Sequence, residues 1–366
     1  MGDTQKYAII GCGMMGREHM RNCAIVQGVE LVAIADPDQG SREAAAALAR
    51  ELNLQIAVYD AAQAMLESIR PDAVIVASPN FTHFDVAKPL IEAGTALLLE
   101  KPMCTTVEDA RALNRLATAH DTLVWVGLEY RFMPPVTRFI ERVHAGETGP
   151  VRMLSIREHR FPFLEKVGDW NRFNRNSGGT LVEKCCHFFD LMRHILRDEP
   201  VRIYASGGQD VNHLEERYNG AVPDILDNAL VTVDFAGGAR ASLDLCMFAD
   251  GSEQQEDIYA LGADGKLEVA LPRASVIWSP RTKFAEERRP VAEAVATPSD
   301  ALAAGDHWGA TYFQLTHFHR CLTQGAPPMI TALDGLRSVE MGDAAQRSIA
   351  SGQAITLDFH SQDLTP

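Results

Sequence analysis

The sequence predicts an α/β protein in two parts: a helix-flanked parallel sheet, then a domain built on a large, mainly antiparallel open sheet. Three observations predict it. In the first third, short apolar runs alternate with helical stretches, the pattern of strands joined by crossover helices. A glycine cluster, Gly11-Cys12-Gly13-Met14-Met15-Gly16, stands between the first apolar run and the first helical stretch. Beyond Tyr130, strand-like runs succeed one another through short turns, which is how antiparallel sheets are connected.

The strands of the first part are read at Tyr7–Ile10, Leu31–Ala35, Ile56–Tyr59, Ala73–Ala77, Ala96–Leu99 and Leu123–Val126. Helical stretches lie between them at Ser41–Leu52, Thr82–Ala93 and Val107–His120, with Thr82 a candidate cap and Gly94 a stop. Six strands in two halves fit a Rossmann dinucleotide-binding domain over residues 1–128. Residues 129–366 then form a substrate-binding and oligomerisation domain whose last helix can pack back on the first. Its strands are expected at Val151–Arg160, Val201–Ser206, Ala229–Phe235, Arg240–Cys246, Ile258–Leu261 and Lys266–Leu271. Ala236-Gly237-Gly238-Ala239 marks a hairpin. Thr282 to Asp306 reads as irregular, and helices follow over Thr311–Leu322 and Leu333–Ala350.

The glycine cluster carries a mechanism because of where it stands. Gly11 permits the tight turn, Gly13 lets backbone approach a pyrophosphate, and Gly16 lets helix and strand pack closely. Cys12, Met14 and Met15 complete this loop around the cofactor. Asp36, twenty residues past Gly16 at the end of the second strand, is placed to accept hydrogen bonds from a ribose, which favours NAD over NADP. It also opens the turn Asp36-Pro37-Asp38, a common duty of aspartate, and Arg42 nearby offsets part of its charge. In the loop after the fourth strand, Ser78, Asn80 and His83 can contact ribose or nicotinamide, or serve as ordinary loop and cap residues.

For the chemistry, the candidates are Lys101, in Glu100-Lys101-Pro102 at the carboxyl end of a strand, and His187. Removing a hydroxyl proton as hydride leaves carbon needs a base, and a lysine serves only if burial or a nearby cation lowers its pKa. Glu183 precedes His187 by four residues on a helix face, and Asp190 follows by three, so a carboxylate can hold the imidazole. Lys184 is expected to face away. Cys185 and Cys186 point about 100° apart on a helix, so a metal held with Glu183 and His187 is not expected.

Together, the glycine motif, Asp36, Ser78-Pro79-Asn80, Glu100-Lys101-Pro102, Gly178-Gly179 and Glu183-x-x-x-His187-x-x-Asp190 resemble the glucose–fructose oxidoreductase/inositol dehydrogenase (Gfo/Idh/MocA) family. Gly335 to Gly342 is similar to that family's last helix. The resemblance implies NAD(P)-dependent oxidation of a hydroxyl on a sugar, sugar derivative or cyclic polyol, with Lys101 and His187 as the acid–base pair. It also implies a homodimer or homotetramer. The chain departs from the pattern at Glu183, where aspartate is usual, and at Cys185, often glycine. Family members that retain NAD for glycoside cleavage or epimerisation by transient oxidation supply a second reading. A non-catalytic NAD or sugar sensor is the third. For substrate, Trp170 and Arg172 lead, followed by His159 and His317, since aromatic faces beside polar groups suit sugars.

Composition bounds the rest. With 366 residues, 46% hydrophobic and 23% charged, the chain is long enough for two packed domains. Its net charge of -15 disfavours nucleic acid and anionic membrane as partners. No apolar run approaches a bilayer span, and no signal-like segment opens the chain. Seven cysteines without framework spacing point to reduced thiols in the cytoplasm.

Overall fold

The computed structural model describes residues 4–283 and 286–359. The first domain is a six-stranded parallel sheet of β1 (Gln5–Ile10), β2 (Val29–Ala35), β3 (Ala57–Tyr59), β4 (Ala73–Val76), β5 (Ala96–Leu99) and β6 (Val124–Val126), ordered β3-β2-β1-β4-β5-β6. The central strands are buried on both faces, which explains their unbroken apolar runs rather than alternation. Helices α1 (Met14–Ile25), α2 (Gln39–Glu51), α3 (Ala62–Ser68), α4 (His83–Glu92) and α5 (Val107–Ala119) connect them. Local chemistry sets their ends. Asp38 caps α2 by accepting from the Ser41 amide at 2.7 Å, and Thr106 caps α5 by accepting from the Asp109 amide at 3.2 Å. Gly94, at φ +72°, stops the chain past α4. Thr82 does not cap α4: its hydroxyl donates to the Pro79 carbonyl, because a single 3-10 turn over Asn80–Thr82 runs straight into the helix.

After α6 (Pro134–His144), the second domain builds a nine-stranded sheet on β7 (Met153–His159). Three short helical pieces follow, α7 (Asn174–Ser177), α8 (Thr180–Glu183) and α9 (Cys186–Leu196). The other strands are β8 (Pro200–Gly208), β9 (Asn228–Phe235), β10 (Arg240–Cys246), β11 (Glu256–Leu261), β12 (Gly265–Leu271), β13 (Ser275–Pro280), β14 (Val291–Ala294) and β15 (Ile355–Thr356). Their order is β14-β13-β12-β11-β7-β10-β9-β8-β15, antiparallel except where β7 and β10 run parallel. Three strands escaped the sequence reading: β13, β14 and the two-residue β15. β13 is set off from β12 only by the short turn Pro272-Arg273-Ala274. The stretch read as irregular holds β14, an exposed edge strand of four residues, and α10 (Ser299–Ala304). Residues 284 and 285 of that stretch lie outside the described residues.

Alternation along the sheet is clean. On β10, Ala241, Leu243 and Leu245 are buried while Ser242 and Asp244 stay partly open. One face is therefore core, and the other is partly open. Two long helices, α11 (Ala310–Gln324) and α12 (Ala332–Ser351), close the chain and pack back on the first domain. Trp125 donates to Gln314 at 3.2 Å, and Arg111 pairs with Glu340 at 2.6 Å. α12 starts with a capping box in which Thr331 and Asp334 satisfy each other's backbone amides. Among the described residues, no helix is long and apolar enough to cross a membrane.

Candidate active site

The glycine loop divides its labour as its spacing implies. A Cβ on Gly11 would lie 2.5 Å from the Ala77 and Ser78 backbone, and one on Gly16 would lie 1.9 Å from the Gly11 carbonyl oxygen. Those two glycines are needed by the protein itself. A Cβ on Gly13 would meet nothing within 4 Å, so the loop is open there, at the amino end of α1 where a pyrophosphate is favoured. Asp36 is pinned against this loop. Its Oδ2 accepts the Cys12 amide at 2.6 Å and its Oδ1 accepts the Asp38 amide at 2.8 Å, so it occupies both its turn and the end of β2. Arg42 donates to the Asp36 carbonyl, not to its carboxylate.

The loop after β4 is more structural than its sequence suggests. Asn80 is buried and donates to the Ser177 carbonyl at 3.2 Å, and Ser78 meets the Thr82 hydroxyl at 2.7 Å. The His83 ring lies between the carbonyls of Pro102 (2.8 Å) and Ser78 (3.0 Å), fully buried, with burial pushing its pKa down. A carbonyl thus faces each of its nitrogens, and the neutral ring donates to one of them. Glu100 turns to His19, at 2.7 Å, and accepts the Lys101 amide at 3.2 Å; it braces the backbone rather than the ammonium.

At the carboxyl ends of β5 and β6 a cavity of about 650 Å³ opens between the domains. Lys101 reaches it from β5, and its ammonium donates to the Glu183 carbonyl at 3.2 Å. Glu183 and His187 reach it from α8 and α9, which are separated by a turn at Lys184 and Cys185. Burial opposes the Lys101 ammonium, yet Cys186 and the carboxylates of Glu183, Glu129 and Glu100 outweigh it and hold the pKa above the ordinary lysine range. That reverses the lowering the sequence argument required for a lysine base. His187 goes the other way. Burial first, then the cations Lys101 and Lys184, keep it neutral well below its usual range. Glu183 is raised by burial against the pull of Lys101 and Lys166, and its Oε2 has no partner.

Several expectations need correction. Asp190 does not hold His187; it forms a buried ion pair with Arg131, whose Nε donates to it at 2.6 Å. The carboxylate that does face His187 is Glu129, with 3.7 Å from its Oε1 to Nε2. Sequence reasoning passed over Glu129, although it follows β6 at the ligand-binding edge, and that position was the available signal. Lys184 does not face away. It is buried in the cavity wall, 2.9 Å from Glu158 and 2.5 Å from the Tyr130 hydroxyl.

None of the four substrate candidates lines the cavity. Trp170 turns its edge to Phe81, and Arg172 is buried against Glu216 at 3.2 Å. His317 stacks on Phe132, 5.2 Å between centroids. His159 falls on the wrong face of β7: Leu154, Ile156 and Glu158 point inward, so His159 points to the open face, beside Asp244. The period of two would have shown this. The residues that do line the cavity from this region are Arg160, Phe161, Phe163, Leu164 and Lys166, joined by His307 and Trp308 from the loop before α11.

Comparison with known proteins decides the family. Residues 5–128 match the description "Oxidoreductase family, NAD-binding Rossmann fold", and residues 140–357 match "Oxidoreductase family, C-terminal alpha/beta domain". The chain belongs to the Gfo/Idh/MocA oxidoreductase family. Its Gfo/Idh/MocA relatives include the scyllo-inositol 2-dehydrogenase (NAD(+)) of Bacillus subtilis, 26% identical over 358 residues and 96% of both chains. Another is the inositol 2-dehydrogenase of Rhizobium meliloti, 26% identical over 97% of this chain and 99% of that one. Among solved structures, the myo-inositol dehydrogenase from Corynebacterium glutamicum superposes with a TM-score of 0.77 at 23% identity, covering 98% of this chain and 100% of the other. The first domain is an NAD-binding domain, and the open cradle at Gly13 beside Asp36 fits that cofactor.

Proposed function

We propose that this protein oxidises a secondary hydroxyl of a sugar or cyclic polyol, with NAD as acceptor, using Lys101 and His187 as its acid–base pair. The observation that carries the reading is that Lys101, Glu183 and His187, from two domains, line one cavity at the carboxyl ends of the first sheet's strands, with the Lys101 ammonium donating to the Glu183 carbonyl at 3.2 Å. NAD, when bound, takes the hydride from the carbon. His187 keeps a free lone pair at neutral pH and receives the hydroxyl proton. The Lys101 ammonium, oriented by the Glu183 carbonyl, stabilises charge growing on the oxygen and steadies the alcohol in the reverse direction. Glu183, with one oxygen unpaired in the wall, is positioned to accept from a neighbouring substrate hydroxyl. Phe161 and Phe163 offer apolar faces to the C–H side of a ring.

The partly open face of the nine-stranded sheet, with Tyr204, Leu230 and Met153 exposed on it, supports assembly as a homodimer or homotetramer. Seven free cysteines, six of them buried, suit a reducing cytoplasm. The deciding experiment measures initial rates with NAD and NADP across inositols, aldoses, sugar acids and glycosides. NAD-dependent turnover of a polyol or sugar, lost in Lys101→Ala while cofactor binding persists, is the expected result. Turnover without net NADH, using cofactor retained through purification, would replace the dehydrogenase reading with transient oxidation; inertness on the whole panel would favour a sensor.

A further inference from the structure

The acid–base pair leaves three side chains beside it unused: Glu129, Tyr130 and His307. Glu129 comes from the turn after β6 and is 2% exposed, as is His187. One of its oxygens, Oε1, lies 3.7 Å from His187 Nε2 and 3.8 Å from His307 Nδ1, so a single carboxylate bridges two imidazoles. Its other oxygen and His307 Nδ1 are both enclosed without a hydrogen-bond partner. Such unpaired polar atoms are costly in a protein interior, so two on one bridge require an explanation. The Tyr130 ring stacks on His187 at 4.1 Å and leans on His307 at 5.4 Å, fixing the planes of both imidazoles.

Exposure grades along this row. The side chains of His187 and Glu129 are 2% exposed and that of His307 is 30% exposed. His307 therefore turns Nδ1 inward and another edge toward solvent. Its backbone is held at φ +54°, with Trp308 at +59° and Gly309 at +73° behind it. Two consecutive non-glycine residues in the left-handed region are strained, and here the strain places one imidazole over the cavity.

We propose that Glu129 and His307 form a proton relay that carries the substrate's hydroxyl proton from His187 to solvent. The proposal rests on His187 being the base. The balance is simple: the alcohol gives hydride to NAD and its proton to His187, while Glu129, protonated at rest, hands its own proton to His307 Nδ1. The imidazolium of His187 replaces that proton on Glu129, and His307 releases one from its outer nitrogen to water. Every group returns to its starting charge, and the net products are carbonyl, NADH and one proton. Gaps of 3.7 and 3.8 Å exceed a hydrogen bond, so transfer needs closure of under about 1 Å or one bridging water, as is common before substrate binds.

The electrostatics suit the order. Burial first, then Glu100 and Glu18, against the pull of Lys101, raise Glu129 to about 8, so it can hold or release a proton near neutrality. Burial, Lys184, Lys101 and Arg160 push His307 down to about 3, so a proton passes through it without resting there. Glu129 stores; His307 exports.

Glu129→Gln keeps the shape and removes the relay, and His307→Asn keeps a residue tolerant of positive φ. In weakly buffered solution both are expected to lose about tenfold or more in kcat, with KM and NADH affinity unchanged and a larger solvent deuterium isotope effect. Added imidazole should restore His307→Asn, whose gap opens to solvent, and not Glu129→Gln. Turnover within about twofold of wild type in either variant, or a His307→Asn defect indifferent to imidazole, overturns the relay. A substrate-free arm reads ring nitrogen resonances by NMR. Both His187 and His307 should report one shared step near pH 8 that vanishes in Glu129→Gln; two histidines silent to Glu129 overturn the proposal as well. Should wild type oxidise nothing on the sugar and polyol panel, the dehydrogenase reading falls, and the NMR arm still decides the relay.

Discussion

Glu129→Gln makes a stability prediction independent of turnover. A buried carboxyl raised from its ordinary 4.5 to about 8 keeps its proton in the folded chain while the unfolded chain ionises. The sign follows. Below about pH 4.5 both states hold the proton and Glu129 costs nothing extra. Above it, unfolding releases a proton, so stability falls as pH rises, by about 1.4 kcal/mol per unit, until the folded group ionises near 8. From about pH 5 to about pH 6.5 the wild type therefore loses roughly 2 kcal/mol through this group alone. Glutamine has no such proton. Whatever constant offset its amide introduces, the stability of Glu129→Gln relative to wild type should improve by about 2 kcal/mol over that interval. Urea unfolding at the two pH values measures it, and Glu18, Glu256 and the histidines cancel because both proteins carry them. A difference between the two proteins that does not change with pH would refute the raised pKa and the reasoning built on it.

The cofactor cradle separates two glycines: Gly13→Ala should leave thermal stability nearly unchanged while weakening NAD binding about tenfold or more, because its Cβ meets only the space a pyrophosphate enters. Gly16→Ala, whose Cβ collides with the Gly11 carbonyl, should lower the melting temperature as well; calorimetry with and without NAD distinguishes them. Since His187 stays neutral well below the ordinary histidine range, kcat/KM should hold flat through pH 6.5 and fall only at distinctly more acid pH; an acid limb near 6.5 would assign the base elsewhere. Asp190→Asn should destabilise the fold by about 1.5–3 kcal/mol, by removing one of the two carboxylates on the buried Arg131 guanidinium while Asp334 stays 3.2 Å away, and would leave the pH profile of residual activity unmoved if Asp190 has no part in orienting His187.

The first domain was legible almost to the residue because its signals are local. A buried parallel strand needs an apolar run, a crossover helix needs a cap and a stop, and the glycine loop needs its spacing. Lys101, Glu183 and His187, each picked out by a short motif, line one cavity. The partners of those residues were not legible. Asp190 pairs with Arg131, 59 residues away, and Glu129 meets His307, which approaches from a loop 178 residues on; no window of sequence joins them. The substrate candidates lie outside this cavity for a different reason. Aromatic and basic residues in the 160–175 stretch alternate between cavity and packing, and composition does not say which side each takes. Trp170 and Arg172 took the packing side, while Phe161, Phe163 and Lys166 took the cavity.

Helix α12 spans the segments that carry the proposed acid–base pair, packing on α8 and α9 of the second domain and on β6 of the first. Lys101 rides on the first sheet and His187 on a helix of the second domain, so their separation is a distance between domains. Along α12, a Cβ on Gly335 would lie 2.7 Å from the Val126 side chain and 2.8 Å from the Met103 sulfur, two residues past Lys101. Two turns on, a Cβ on Gly342 would lie 2.5 Å from the Leu181 carbonyl oxygen and 3.0 Å from the Val182 Cα, next to Glu183. The helix is thus pressed near its start against the segment that carries Lys101 and at its middle against the segment that carries Glu183. Glycine at both contacts lets each approach more closely than any side chain would permit. The contact at Gly335 is to side chains, which can shift, whereas that at Gly342 is to backbone, which must move as a unit. A methyl at Gly342 should therefore displace Glu183 from Lys101 and lower kcat while sparing NAD binding, and the same methyl at Gly335 should be felt mainly as lost stability. Equal effects on kcat from both substitutions would mean that the pair is held by something other than this helix.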